Sequence, residues 1–396
     1  MKRLILLASI LLLSNFNQAQ TAYIPSTGTN SVNVIDVTNN AVLYTIPVGN
    51  YPIGSSASPD GTRVYISNYN SASVSVINTG NNSVIATIAV GTNPLSSIVS
   101  ADGSKVYVAN DGNDTVSVIA TATNTVITTI PVGDGPRNIV LNADGSKAYV
   151  TNWNAASVSI ISTATNTLIG TITVGNNPIG ICRFGSTLYV ANLATNNVSV
   201  INMLTDTVTS NISVGSFPQG VTVTHDGAFV YVATASANAV SVINTSTNTV
   251  TATITVGTYP EGIDISPDGT KVYVVNRNSS SISVINTATN TVSATIPVGS
   301  APISFGKFMS INAPLATNEY TSTLEMTLYP NPTSGRFALD LADYPATISI
   351  VNALGQTVLL TNVLERNTSL ELNQAGMYWV IVSSETGTTT KKLLVR

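Results

Sequence analysis

The sequence predicts an all-β protein: a seven-bladed β-propeller closed by N- and C-terminal strands in one shared blade, followed by a small C-terminal immunoglobulin-like β-sandwich. Three observations carry this prediction. A tyrosine flanked by apolar residues recurs at Tyr23, Tyr65, Tyr107, Tyr149, Tyr189, Tyr231 and Tyr273, spaced by 42, 42, 42, 40, 42 and 42 residues. A Gly-x-x-Pro recurs in step, from Gly49/Pro52 to Gly299/Pro302. Each unit parses into four short strand-like runs, and such units stack radially because one four-stranded blade cannot bury both of its faces alone. No unit carries a 3.6-residue apolar period, which excludes a helical solenoid, and a β-helix needs much shorter coils.

Taken in order, the chain opens with a secretory leader over residues 1–20. Lys2 and Arg3 form its positive end, and Leu4 to Leu13 is apolar apart from Ser9. A polar tail follows, with cleavage expected after Ala19 or Gln20. That run is too short to cross a bilayer, which takes about 20 apolar residues. No Cys stands near the cleavage point, which argues against a lipid anchor, and no later stretch reads as a transmembrane helix.

The repeats occupy residues 21–310. In the unit after Pro260, residues 260–266 form a first strand and Pro267-Asp268-Gly269 a tight turn. Residues 271–275, 281–286 and 291–298 are the remaining strands, the last alternating Val292, Ala294, Ile296 and Val298 with mostly polar neighbours. The two-residue deletion falls in the Phe184-Gly185-Ser186 turn, where strand register survives it. The repeats begin at a second strand (Ala22-Tyr23-Ile24) and end with a first strand from Pro302 to about Ser310. One blade therefore combines both ends of the array, which removes the open edges.

Tyr149-Val150-Thr151-Asn152, the Val-Ser-Val-Ile-Asn runs and the Pro-Asp-Gly turns resemble the YVTN-type β-propeller repeat, over about residues 21–310. The resemblance implies a seven-bladed ring. Residues 311–325 break the pattern and read as a linker.

Residues 326–396 are a different β-rich unit. It opens on Tyr329-Pro330-Asn331-Pro332, passes through strand-like runs near 336–341, 347–351 and 357–361, with a Leu354-Gly355-Gln356 turn, and continues to Gly376-Met377-Tyr378-Trp379. It ends on Lys391-Lys392-Leu393-Leu394-Val395-Arg396. These motifs, in this order, resemble the type A sorting domain of the type IX (Por) secretion system of the Bacteroidetes. That resemblance implies export by the Sec route, passage across the outer membrane by the type IX machinery, and an extracellular or cell-surface destination.

Composition bounds the function. Charged residues are 9% of the chain against roughly a quarter in ordinary soluble domains. A net charge of −4 with no basic stripe excludes a nucleic-acid partner. The single histidine, His225, replaces a Pro or Ala in a turn and cannot build a copper, haem or lyase centre. Cys182 reads as a buried structural thiol, and Asp60, Asp102, Asp144, Asp226 and Asp268 each precede Gly as turn formers. No cofactor and no metal are expected, beyond a weak calcium site weighed at Asp111, Asp114 and Asp134.

The contrast between constant and variable positions locates a binding face. Turns joining first to second and third to fourth strands are nearly uniform, ending in the second case on Asn40, Asn82, Asn124, Asn166, Asp206, Asn248 and Asn290. The loops on the opposite face vary. They supply Tyr51, Tyr69, Trp153, Phe217 and Tyr259, with Arg137, Glu261 and Arg277 near the channel. Aromatic residues beside a few charges suit a sugar or protein ligand; the competing reading is drift in unconstrained loops. The function expected is thus a non-enzymatic surface or secreted protein that binds a glycan or protein partner. A propeller enzyme of lactonase or lyase type and a structural surface-layer component are the alternatives.

Overall fold

Each repeat folds into four antiparallel strands, because each alternates short β-rich runs with turns that the backbone can reverse through. The computed structural model describes residues 21–310, 326–341, 344–352, 357–384 and 387–396. The leader 1–20, the linker 311–325 and the Leu354-Gly355-Gln356 turn lie outside the described residues. The chain divides into two compact units, residues 1–315 and 316–396.

Seven four-stranded sheets make up the first unit. Blade 7 shows the pattern: Pro260–Ile265, Lys271–Asn276, Ser281–Asn286 and Thr291–Pro297, each antiparallel to the next. Burial falls outward. The first three strands are almost wholly buried, while in Thr291–Pro297 only Ile296 is.

Neighbouring blades share apolar cores, repeated seven times. Tyr273, Val275, Ile282 and Val284 of blade 7 pack on Ala22, Ile24, Ile35 and Phe308 of blade 1. Tyr23, Val32, Val34 and Ile46 of blade 1 pack in turn on Val64, Ile66 and Ile77 of blade 2. A tyrosine buried in such a core must place its hydroxyl. Tyr23 donates to Asn82 Oδ1 at 3.0 Å, Tyr149 to Asp206 Oδ1 at 2.8 Å, Tyr231 to Asn290 Oδ1 at 2.6 Å and Tyr273 to Asn40 Oδ1 at 2.9 Å. Each acceptor lies in the last turn of the following blade. Those turn residues also hold positive φ, 52° to 55° from Asn40 to Asn290, a conformation Asn and Asp tolerate best among residues with a side chain. Two demands thus meet at Asn40, Asn82, Asp206 and Asn290, whereas Asn124 and Asn166, whose Oδ1 atoms have no partner among the described residues, answer only to the backbone.

Blade 1 takes its fourth strand from the far end of the repeats. The expected first strand over 302–310 is regular only at Met309–Ser310, which pairs with Ala22 and Thr21. Before it the chain leans towards blade 2: Phe305 N donates to Ile53 O at 3.2 Å, and Ser55 N to Phe305 O at 3.1 Å. Gly306, at φ 99°, allows that departure. Inner strands also approach closely elsewhere. A Cβ at Gly220 would lie 2.5 Å from Glu261 O, and one at Gly262 2.5 Å from Ser304 O. Only glycine lets the strands carrying Gln219 and Glu261 come this near.

The second unit is a sandwich of two antiparallel sheets. One orders Met326–Tyr329, Arg336–Leu341 and Asn367–Glu371; the other orders Thr357–Val363, Ala346–Asn352, Gly376–Ser384 and Gly387–Val395. Phe337, Leu339, Ile348, Ile350, Val380 and Leu393 share its core.

Candidate functional site

The variable loops of each blade are stapled in pairs by the backbone. Tyr69 N donates to Tyr51 O at 3.0 Å, Trp153 N to Gly135 O at 2.7 Å, and Arg277 N to Tyr259 O at 3.1 Å. This sets the residue four past each repeat tyrosine beside the residue before each repeat proline. The latter position is left-handed throughout: Tyr51 (φ 56°), Asn93 (53°), Gly135 (70°), Asn177 (54°), Phe217 (56°), Tyr259 (57°) and Ala301 (49°). Gly and Asn suit it. A bulky side chain there costs roughly 1–2 kcal/mol, and such strain concentrates at functional sites.

Six of the eight residues singled out from sequence meet in one network at the mouth of the channel. Arg277 Nη1 lies 3.3 Å from Glu261 Oε1, and its Nη2 donates to Tyr51 Oη at 2.9 Å. Arg277 of blade 7 thereby reaches past blade 1 to Tyr51 of blade 2. The rings of Tyr51 and Tyr69 stand 6.0 Å apart, tilted by 56°. Tyr69 Oη donates to Asp111 Oδ2 at 3.4 Å, and Arg137 Nη2 lies 3.4 Å from Asp111 Oδ1. Arg137 finally sits over the Trp153 ring, 4.8 Å from its centroid. Beneath them Ile53, Leu95, Ile179, Ile303 and Phe305 meet around the axis as an apolar floor.

Phe217 and Tyr259 stand outside this network. Neither side chain makes a hydrogen bond or ring contact with it, and Phe217 is 44% exposed.

Asp111, weighed in the sequence as a calcium ligand, instead joins the site as the link between Tyr69 and Arg137. Its two companions have separate tasks: Asp114 Oδ1 accepts the Gly135 N–H at 2.8 Å, and Asp134 Oδ1 accepts from Asn154 Nδ2 at 2.8 Å. No group of three or more His, Cys, Asp or Glu side chains among the described residues is arranged to hold a metal ion.

Glu261 and Arg277 belong to one blade, and their pair would carry little energetic weight only if it were exposed. The glutamate side chain is in fact only 6% exposed. Among the described residues its Oε2 has no hydrogen-bond partner, nor does Oε1 of the neighbouring buried Gln219 or Nε of Arg137. Three polar atoms at the first position after the repeat proline are thus buried at the mouth without partners. Burial pushes the Glu261 carboxyl above the usual glutamate range, against the opposing pull of Arg277. Burial does the same to Asp111. A carboxylate made more basic, beside a fixed guanidinium, supplies a proton acceptor and a positive charge at one point. Gln219 was absent from the residues chosen by sequence and Asp111 was weighed only as a calcium ligand; the signal at Gln219 was that it breaks the mostly apolar pattern after the repeat proline.

Fold and mouth together define a seven-bladed propeller with an aromatic and charged cleft at one end of its axis. Residues 82–177 and 187–300, together just over half of the chain, match the family described as lactonase, 7-bladed beta-propeller. The chain belongs to that family. Residues 327–396 match the secretion system C-terminal sorting domain, which directs the protein through type IX secretion to the cell surface or the extracellular space. No described helix is long and apolar enough to cross a membrane.

Among solved structures, the Kuenenia stuttgartiensis hydrazine synthase is similar at 24% identity and a TM-score of 0.59, over 64% of this chain and 88% of that one. A functionally unknown protein from Desulfotomaculum acetoxidans DSM 771 is similar at 16% identity and 0.63, over 72% and 99%. A putative 6-phosphogluconolactonase from Bacteroides uniformis ATCC 8492 is similar at 16% and 0.62, over 72% and 98%. These likenesses bear on the fold. No curated protein matches the chain.

Membership of a lactonase family overturns the expectation that the protein is not an enzyme. That expectation rested on the lack of a histidine-centred constellation. Opening an ester needs a base for water and a positive group for the developing oxyanion, and a carboxylate with a guanidinium can be both.

Proposed function

We propose that the protein is an exported hydrolase of lactonase type, acting on a sugar-derived lactone held at the aromatic mouth. The observation that carries this reading is Glu261, 4% exposed, with one oxygen on Arg277 and the other unpartnered. In this reading the Glu261 carboxylate takes a proton from water as the water oxygen bonds to the lactone carbonyl carbon. The carbonyl π electrons move onto oxygen, facing Arg277, which Tyr51 Oη holds in place. When the tetrahedral species collapses, the acyl C–O bond breaks and the proton on Glu261 passes to the departing ring oxygen. The product is the open hydroxy acid, and the carboxylate is restored.

The rest of the mouth provides binding. Trp153, its upper face covered by Arg137, offers an edge and ring for the sugar, and Tyr69 with Asp111 fixes Arg137. Phe217 and Tyr259 form an outer wall for a longer, glycan-like substituent. Purified secreted protein should hydrolyse five- and six-membered aldonolactones, read as acid release. Absence of hydrolysis across such a panel by folded protein would count against the assignment.

A further inference from the structure

A second cavity, of about 460 Å³, lies at the opposite end of the axis among the Asp-Gly turns. Strand register separates it from the mouth. The mouth residues Arg137, Gln219 and Glu261 occupy the first position after their repeat prolines, whereas the cavity is walled by the second to fifth positions. The apolar floor of Ile53, Leu95, Ile179, Ile303 and Phe305 divides the axis between them. Ile139, Ile181, Val221, Ile263 and Phe305 give the cavity aliphatic and aromatic walls.

Among the fourteen residues at the fourth and fifth positions after the seven repeat prolines, only Arg183, Asp264 and Lys307 are charged. All three line the cavity. The acid is already committed: Asp264 Oδ1 accepts the Ile265 N–H at 2.9 Å and Oδ2 the Met309 N–H at 3.1 Å. The cations are not. Arg183 spends only Nε, on Leu141 O at 2.6 Å. Exposed Lys307 has no ion pair or side-chain hydrogen bond among the described residues. The cavity thus presents two groups of unused cationic donors above hydrocarbon walls, in a volume suited to a small ligand. Charge-assisted hydrogen bonds and apolar burial would act on the two ends of one molecule.

We propose that this cavity binds a small amphipathic carboxylate, its head on Lys307 and Arg183 and its hydrocarbon body against the isoleucine and valine walls. Burial pushes the Asp264 carboxyl above the usual aspartate range, against the opposing pull of Lys307 and of the backbone N–H groups it accepts from. Burial likewise keeps the Cys182 thiol protonated, so it serves as wall and not as nucleophile. The site is independent of the mouth and of the reaction assigned there.

Titration calorimetry of the full secreted protein with octanoate, and with octanamide as its uncharged counterpart, tests the proposal. One saturable octanoate site is expected, at least tenfold tighter than octanamide. Lys307→Met should erase most of that preference. Val223→Phe, which pushes a ring into the cavity, should abolish binding of both compounds, while Trp153→Ala leaves octanoate affinity unchanged. Equal affinity for acid and amide, full retention of octanoate binding in both cavity variants, or loss of binding in Trp153→Ala would each overturn it.

Discussion

Replacing Glu261 by Gln keeps its shape and its contact with Arg277 but removes the proton acceptor. General-base assistance is worth roughly 10²–10⁴ in rate, so kcat/KM on a responsive lactone should fall by that factor, about 3–5 kcal/mol in barrier. The fold should survive, because the amide oxygen still meets Arg277, whose second nitrogen stays on Tyr51 at 2.9 Å. A pH dependence makes the test sharper. Burial raises the folded-state pKa of Glu261, so the folded chain holds this proton more tightly than the unfolded one. Its contribution to stability is therefore fully present below the ordinary glutamate value of roughly 4.3, and is lost as pH rises through the higher folded value. Activity runs the other way, since the ionised carboxylate is the base. Thermal melts of wild type and variant between about pH 4 and 8 should show the wild-type margin shrinking where wild-type kcat/KM climbs. A variant within threefold of wild-type activity, or a margin that grows with pH, would refute the reasoning.

Five further outcomes are expected. Tyr51→Asn relieves a left-handed tyrosine, as Asn93 and Asn177 do at equivalent positions; it should raise the Tm by about 2 °C while weakening lactone turnover by freeing Arg277, and a lowered Tm would speak against the strain. Trp153→Ala with Tyr259→Ala should raise KM at least tenfold with a Tm nearly unchanged; unaltered KM would remove the aromatic wall from the site. Phe308 is fully buried between blades 1 and 7, so Phe308→Ala should cost about 3–5 kcal/mol, and deleting residues 300–312 should open the ring; a cooperative melt at the wild-type temperature after either change is the contrary result. Removing residues 327–396 should leave the protein within the cell envelope, as read by immunoblot of the medium; undiminished secretion would deny the tail its sorting role.

Blade count, strand order and the sorting domain were legible because repetition averages out local ambiguity: seven copies of one tyrosine and one proline fix the register of everything between them. The mouth was legible as a contrast, in that Tyr51, Tyr69, Arg137, Trp153, Glu261 and Arg277 depart from their repeat positions. What the sequence concealed was depth. Glu261 and Asp111 read as loop charges, yet Glu261 is buried in the first strand of blade 7 and Asp111 is half-buried between Tyr69 and Arg137. The cavity residues Arg183, Asp264 and Lys307 were hidden for a related reason. Arg183 and Asp264 sit inside strands and Lys307 just before one, where a single charge carries no turn signal, and only the ring brings blades 5, 7 and 1 together. The closing segment also departed from expectation, since Gly306 and Phe305 trade a regular strand for contact with blade 2.

The tyrosine hydroxyl that blades 1, 4, 6 and 7 each extend to the last turn of the following blade has an evolutionary reading. Because both halves of that joint are carried within one repeat, any copy fits against any other. A duplicated or lost repeat would still find its plug and socket, from Tyr23 and Asn82 round to Tyr273 and Asn40. Such a gene can grow or shrink by whole cassettes through unequal recombination without inventing a new interface. The loops at the mouth, which take no part in the joint, are then free to diverge after each copying. A scaffold assembled from interchangeable parts in this way can keep changing what it recognises while its frame stays the same.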